Sequence, residues 1–311
     1  MNQCVLFPGQ GSQIIGMGKD IYDNYDIAKE IFQEVDDALH QNLSDIIFNG
    51  PQDSLTLTSN TQPALMVVSI AILRVLEAKL GKTLTSSTKY YAGHSLGEYT
   101  ALCAANMFSI RDTAKLLRIR GNSMQEAVPE GKGSMAAILG MEIAEIEQLC
   151  LEASSLGICQ IANDNCPGQV VISGEVNAIN LAIEKVSAAG KKAIKLAVSA
   201  PFHCDMIKSV SQIMKSALEK TNYNIPQVPI ICNYTAVESQ DASEIINNLA
   251  KQVYSKVRWR ESMNYLISKN IDNFIEIGSG KVLTGMMKRI NKDVKTISIS
   301  NFSDLNNFLE S

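Results

Sequence analysis

Residues Tyr90 to Leu102 read YYAGHSLGEYTAL, a short aromatic-apolar run joined to a helix-like run by a turn that begins and ends on glycine. Gly93-His94-Ser95-Leu96-Gly97 fits G-x-S-x-G, a pattern that needs a strand before it and a helix after it. The strained turn between them lifts a serine hydroxyl out of the sheet's edge, and a side chain at either glycine would crowd it. Strand, tight turn and helix in immediate succession point to an α/β architecture. The same alternation recurs along the chain. CVLF at 4–7 is a buried-strand pattern closed by Pro8 and Gly9, and PALMVVSIAILRVLEAKL is a long apolar helix pattern with Pro63 expected in its first turn.

The middle of the chain follows a different order. From Gly133, GSMAAILG reads as a strand, EIAEIEQLCLEASS as a helix, GICQIAN and GQVVISG as strands, NAINLAIEKVSAAG as a helix and KKAIKLAV as a strand. That is β-α-β-β-α-β, the ferredoxin-like signature. Beyond it, VPIICN, NFIEIG and VKTISIS supply short strands expected to rejoin the first sheet. The expected fold class is therefore α/β: a large α/β-hydrolase-like domain with a mostly parallel sheet (1–127 and 199–311) plus an inserted small ferredoxin-like α+β domain (128–198). A chain of 311 residues suits one large domain carrying a smaller one.

Charge narrows the function classes. With 28 Lys and Arg against 32 Asp and Glu, the net charge is −4, which argues against nucleic acid as a ligand. No stretch has the roughly 18 apolar residues of a membrane helix, and the opening MNQCVLFPGQGSQ lacks a secretory leader's organisation, so a cytoplasmic location is expected. The seven cysteines are scattered without a C-x-x-C, which suggests neither a disulfide framework nor a zinc site; buried, reduced thiols are the expectation. Gly9-Gln10-Gly11 fails the dinucleotide fingerprint at Ile14, and GSGKV at 278–282 fails the phosphate loop at Ile275 and Val282.

Ser95 is the candidate nucleophile. A helix beginning immediately after it aims free N–H groups at the same spot, which makes the Leu96 amide a candidate oxyanion donor. The loop FPGQGSQ either contributes a second donor through Gln10 or uses its glycines for geometry alone. The base must come from His40, His94 or His203. His94 adjoins the serine, and neighbours at a turn entering a helix point apart, so a supporting role suits it better. His40 lies in the polar stretch ALHQNLSD and is expected on the surface. That leaves His203, in SAPFHCDM, on an irregular connection where the chain returns to the large domain and faces a cleft. Cys204 as nucleophile beside His203 is a weaker alternative, since adjacent residues rarely align and no electropositive setting is visible. Spacing identifies no acidic third member.

FPGQGSQ, GHSLGEY, the RG-x-x-MQEAVPEG run from Arg120, PGQVVISG and SAPFH stand in the order and spacing of the malonyl-CoA:acyl carrier protein transacylases of bacterial fatty acid synthesis, which this chain resembles from Phe7 to about Asn291. The resemblance implies that Ser95 is acylated and that His203 acts first as base and then as acid. It implies that Arg120 binds the malonyl carboxylate as a two-pronged ion pair, and that the Gln10 side chain and the Leu96 N–H form the oxyanion hole. A carbonyl at Gln252 would orient the histidine, giving a Ser-His dyad. Asn163 and Asn165 would line the cleft, and Phe202 would leave little room for α-branched acyl groups. The substrate implied is malonyl-CoA and the partner acyl carrier protein, with no metal, no cofactor and a monomeric chain. Ser279 departs from the family, which more often has proline there. Lys191, Lys192 and Lys195 are possible carrier contacts, with a solvated charge cluster as the plainer reading. Two enzyme alternatives stay open: a stand-alone polyketide acyltransferase, and a serine hydrolase or thioesterase with a Ser-His dyad. A third is a non-catalytic carrier-binding module, against which intact Ser95, His203 and Arg120 argue.

Overall fold

In a computed structural model, described over residues 2–198 and 200–310, the strands fall into two sheets. In chain order they are β1 (Gln3–Phe7), β2 (Tyr90–Gly93), β3 (Gly133–Leu139), β4 (Cys159–Cys166), β5 (Gln169–Glu175), β6 (Lys192–Lys195), β7 (Ile230–Ile231), β8 (Glu238–Ser239), β9 (Asn273–Ile277) and β10 (Lys295–Ile299). The larger sheet runs β10-β9-β1-β2-β7-β8, parallel throughout except for β8, which returns antiparallel on β7. β1 is buried along its whole length, as a central parallel strand covered on both faces must be. Neighbouring β1, β2 and β7 end on the same edge, and in open α/β sheets ligands bind outside those carboxyl ends.

The smaller sheet is antiparallel in the order β4-β5-β3-β6, the strand order of a ferredoxin-like unit. Its strands alternate as the pleat requires. Ala136 and Ile138 of β3 pack with Ile146, Leu149, Ile172 and Ile179 under the helices Ile143–Ala153 and Val176–Ala188. Met135 points the other way, into the core shared with the large sheet. The expected return of the chain at 199 falls on a residue outside those described.

Several elements differ from their sequence patterns. The helix expected to open at Pro63 begins at Thr58, so Pro63 lies in its interior. Leu57 carries its first turn, accepting from the Asn60 and Thr61 amides. Gly121 explains the close packing there, because a Cβ at that position would lie 2.6 Å from the Ser59 backbone. KKAIKLAV forms a strand only over Lys192–Lys195, an edge whose lysines suit solvent and discourage edge pairing. VPIICN contributes only Ile230–Ile231. GICQIAN instead continues as far as Cys166, carrying Asn163 and Asn165 on a strand.

β4 also clamps the small sheet to the large domain. Val257 N–H donates to the Ala162 carbonyl and Asp164 N–H to the Val257 carbonyl, at 2.8 and 2.9 Å. Arg260 grips buried Asp164 with Nε and NH2 at 2.9 and 2.8 Å. Arg260→Ala strands a buried carboxylate. Fully buried pairs cost 3–5 kcal/mol to break, but the Arg260 side chain keeps 29% exposure, so about 2 kcal/mol is expected, read as a lower midpoint in urea.

Candidate active site

The turn after β2 is set by its glycines. A Cβ at Gly93 would sit 1.9 Å from the Gly97 backbone, and one at Gly97 would sit 2.3 Å from the Phe7 carbonyl oxygen. No L side chain fits either position, so the helix Leu96–Ala104 is drawn against the end of β1. Ser95 between them takes φ 55° and ψ −109°. His203 also has a positive φ, 57°. A non-glycine residue held in such a conformation costs about 1–3 kcal/mol and persists only where its surroundings over-determine it.

These two strained residues meet. Ser95 Oγ lies 2.8 Å from His203 Nε2, and His203 Nδ1 lies 2.8 Å from the Gln252 carbonyl oxygen. A carbonyl only accepts, so Nδ1 carries the proton and Nε2 is the bare acceptor facing the hydroxyl. Burial, reinforced by the nearby Arg120 cation, holds the His203 pKa down to about 3, so the ring is neutral at any physiological pH. The arrangement is a serine with a poised base and no carboxylate on the histidine.

Arg120 reaches the same oxygen from the helix Ile110–Glu126. Its NH2 donates to Ser95 Oγ at 3.0 Å and to Gln252 Oε1 at 2.9 Å, and its NH1 donates to Gln62 Oε1 at 2.8 Å. The guanidinium packs over the Tyr99 ring. Arg120 is 1% exposed, yet every acceptor it has here is neutral, and its Nε finds none among the described residues. A buried cation without a direct anionic partner is costly, and an incoming anion would relieve that cost.

Ser95, Arg120 and His203 line a cavity of about 100 Å³ with Gln10, Asn163, Phe202 and others. A second cavity of about 360 Å³ shares Gln10, His94 and Asn163 with it and adds Asn165. A separate concavity of about 920 Å³ around Asp36, His40 and Asp45 shares no residue with either. Gln10 Nε2 makes a long bond, 3.4 Å, to Thr58 Oγ1. Leu96 opens its helix, so its N–H is among those with no carbonyl a turn back. Phe202 is buried beside Met135, whose sulfur accepts its N–H.

The remaining candidates have structural roles. His94 Nε2 lies 2.9 Å from Asn165 Oδ1 and its ring packs on Trp259, which fixes it away from Ser95 Oγ. His40 is an exposed helix C-cap. Burial raises the Cys204 pKa, so it stays a thiol. All seven cysteines are buried and unpaired. Ser279 Oγ donates to the Ser12 carbonyl at 2.6 Å, tying its loop to the N-terminal one.

Sequence reasoning missed Asn233, Glu98 and Gln62. Asn233 follows the short β7, and its Oδ1 accepts the Ser95 N–H at 2.7 Å while its Nδ2 donates to the Gly93 carbonyl at 2.8 Å. Glu98 is fully buried, and burial pushes its pKa up to about 7 against the pull of bonds from Asn233 and Gln252 and of the Arg120 charge. A lone carboxylate in the apolar helix LGEYTALCA was the available signal.

Comparison with known proteins places this geometry. The acyl transferase domain model matches residues 5–302. A malonyl CoA-acyl carrier protein transacylase of Bacillus subtilis (strain 168) is 45% identical over 297 residues, covering 95% of this chain and 92% of its own length. The solved acyl-carrier-protein-S-malonyltransferase from Bartonella henselae superposes with a TM-score of 0.97 at 49% identity, over 100% of this chain and 99% of that one. A malonyl-transacylase solved in complex with its type II polyketide acyl-carrier protein matches with a TM-score of 0.95 at 38% identity, covering 99% of each chain.

Proposed function

This chain belongs to the acyl transferase domain family, and from that premise we propose how it works. It moves a malonyl group from malonyl-CoA to the phosphopantetheine thiol of acyl carrier protein and supplies fatty acid biosynthesis. The observation that carries the substrate assignment is Arg120, a buried guanidinium with only neutral acceptors, bonded to Ser95 Oγ at 3.0 Å. A planar donor fork beside a nucleophile suits a small acyl group ending in a carboxylate.

In the first half-reaction His203 Nε2 takes the hydroxyl proton as Ser95 Oγ attacks the thioester carbonyl. The carbonyl oxygen becomes an oxyanion received by the Leu96 N–H and the Gln10 side chain, which gives up its long bond to Thr58. The carbon–sulfur bond then breaks, and the CoA thiolate takes the proton from His203. The second half-reaction runs the same steps in reverse, with the carrier's thiol attacking the malonyl-serine ester, so the kinetics are ping-pong. Acyl transfer between sulfur and oxygen changes no oxidation state, and we assign no metal or redox cofactor. Asn163, Asn165 and Phe202 shape the cleft, and Phe202 disfavours α-branched acyl groups. One chain supplies Ser95, His203, Arg120 and Gln252, which is consistent with a monomer as the working unit. No described helix is long and apolar enough to cross a membrane, and we place the reaction in the cytoplasm.

Intact-protein mass spectrometry tests this reading. Malonyl-CoA should add one malonyl group, mapped to the peptide bearing Ser95, and holo acyl carrier protein should remove it. An unmodified mass would defeat the reading; release by water at the same rate as by carrier would indicate a hydrolase.

A further inference from the structure

Ser95 is gripped at both ends of its peptide unit by side chains distant in sequence. Its N–H donates to Asn233 Oδ1 at 2.7 Å, and its carbonyl accepts from Gln252 Nε2 at 2.9 Å. Both gripping residues converge on one atom. Glu98 Oε2 accepts the Asn233 N–H at 3.0 Å and Gln252 Nε2 at 2.9 Å. We propose that Glu98 is the positioning residue of this site, the single acceptor that ties Asn233 and Gln252 together and so holds Ser95 in its left-handed conformation.

Glu98 touches neither the Ser95 hydroxyl nor the His203 ring, and it acts through the two residues it joins. The Gln252 branch reaches furthest. Its Oε1 accepts from Arg120 and its backbone carbonyl accepts from His203 Nδ1, so one residue braced by Glu98 bears on nucleophile, base and cation together. The Asn233 branch fixes the strand end as well, through Asn233 Nδ2 on the Gly93 carbonyl. Helix geometry gives Glu98 its reach. It lies three residues after Ser95, its own N–H bonds the Ser95 carbonyl at 3.0 Å, and its side chain rises on the same face. With no exposed surface, it has no water to take over if the carboxyl is lost.

The proposal rests on Ser95 being the nucleophile, and the test separates the two ideas. A neutral fluorophosphonate, which has no carboxylate for Arg120 to bind, reports the geometry of nucleophile and base through its labelling rate, free of the carboxylate contact. Serine Oγ bonds phosphorus, fluoride leaves, and the proton passes to His203. Glu98→Leu should lower that rate about 100-fold when measured well below its melting temperature. Glu98→Gln keeps an acceptor oxygen and should stay within about fivefold of the parent. Asn233→Ala severs one branch, should cost about tenfold, and decides the matter if Glu98→Leu does not fold. Labelling of Glu98→Leu or Asn233→Ala within twofold of the parent overturns the proposal, as does Glu98→Gln labelling as slowly as Glu98→Leu. Failure of the parent to label at Ser95 would instead overturn the nucleophile reading.

Discussion

His203→Ala is expected to slow malonylation of Ser95 by about 10³-fold, within the 10²–10⁴ range that a positioned acid-base group contributes. Rapid quench with intact-mass detection reads the acylation step directly. The residual rate belongs to the oxyanion donors and to binding, which the substitution leaves in place. The pH profile gives a second readout. The working form is the neutral imidazole, and burial beside Arg120 holds its pKa down to about 3. In the parent enzyme the acylation rate constant should therefore stay level from pH 8 to about 5. A fall centred near 6.5, the ordinary value, that persists in Glu98→Gln, where no carboxyl group titrates near 7, would show that the ring titrates as it does in water and that the site is not dry. Stability follows the same linkage. Between about 3 and 6.5 the unfolded chain binds a proton at His203 that the folded chain refuses, so this group makes stability rise with pH. Glu98 works against it. Its folded value of about 7 stands above the ordinary 4.5, so it favours the folded chain at low pH and loses that contribution as pH rises through 7. The two tendencies oppose each other between 4.5 and 6.5.

Much of the fold was legible because its signals are local. The glycines at 93 and 97 mark a turn by a contiguous pattern, although only the crowding at Gly93 is local and that at Gly97 comes from the Phe7 backbone, and the β-α-β-β-α-β order at 133–195 follows from periodicity alone. The start of the helix at Thr58 was not legible, since Pro63 is a strong boundary signal and its place in the helix interior depends on packing against Gly121, far along the chain. β7 and β8 have only two residues each, too few to carry a period.

The site divides along the same line. Ser95 sits in a contiguous motif, and scarcity of histidine isolated His203. Arg120 and Gln252 needed family resemblance, because a lone arginine in a helix pattern reads as surface charge. Asn233 had no contiguous signal. Its role arises only when β7 is laid beside β2, which places the residue after one strand against the residues after the other.

Arg120→Ala should reverse the acyl preference. Truncating one partner of a buried, hydrogen-bonded charge pair costs 2–5 kcal/mol, so kcat/KM for malonyl-CoA should fall about 10³-fold. Arg120 also donates to Ser95 Oγ and Gln252, and losing those bonds slows every acyl donor alike. The ratio of malonyl to acetyl loading cancels that common loss and isolates the carboxylate contact. Acetyl loading gains from losing the buried cation, which costs most when no anion meets it. The ratio should therefore shift by more than 10²-fold toward acetyl. Arg120→Lys tests geometry apart from charge: an ammonium keeps the attraction without the planar fork, so its ratio should lie between the two. If Arg120→Ala leaves the ratio unchanged, the carboxylate is bound elsewhere, and the cost of keeping a guanidinium buried beside Ser95 needs another explanation.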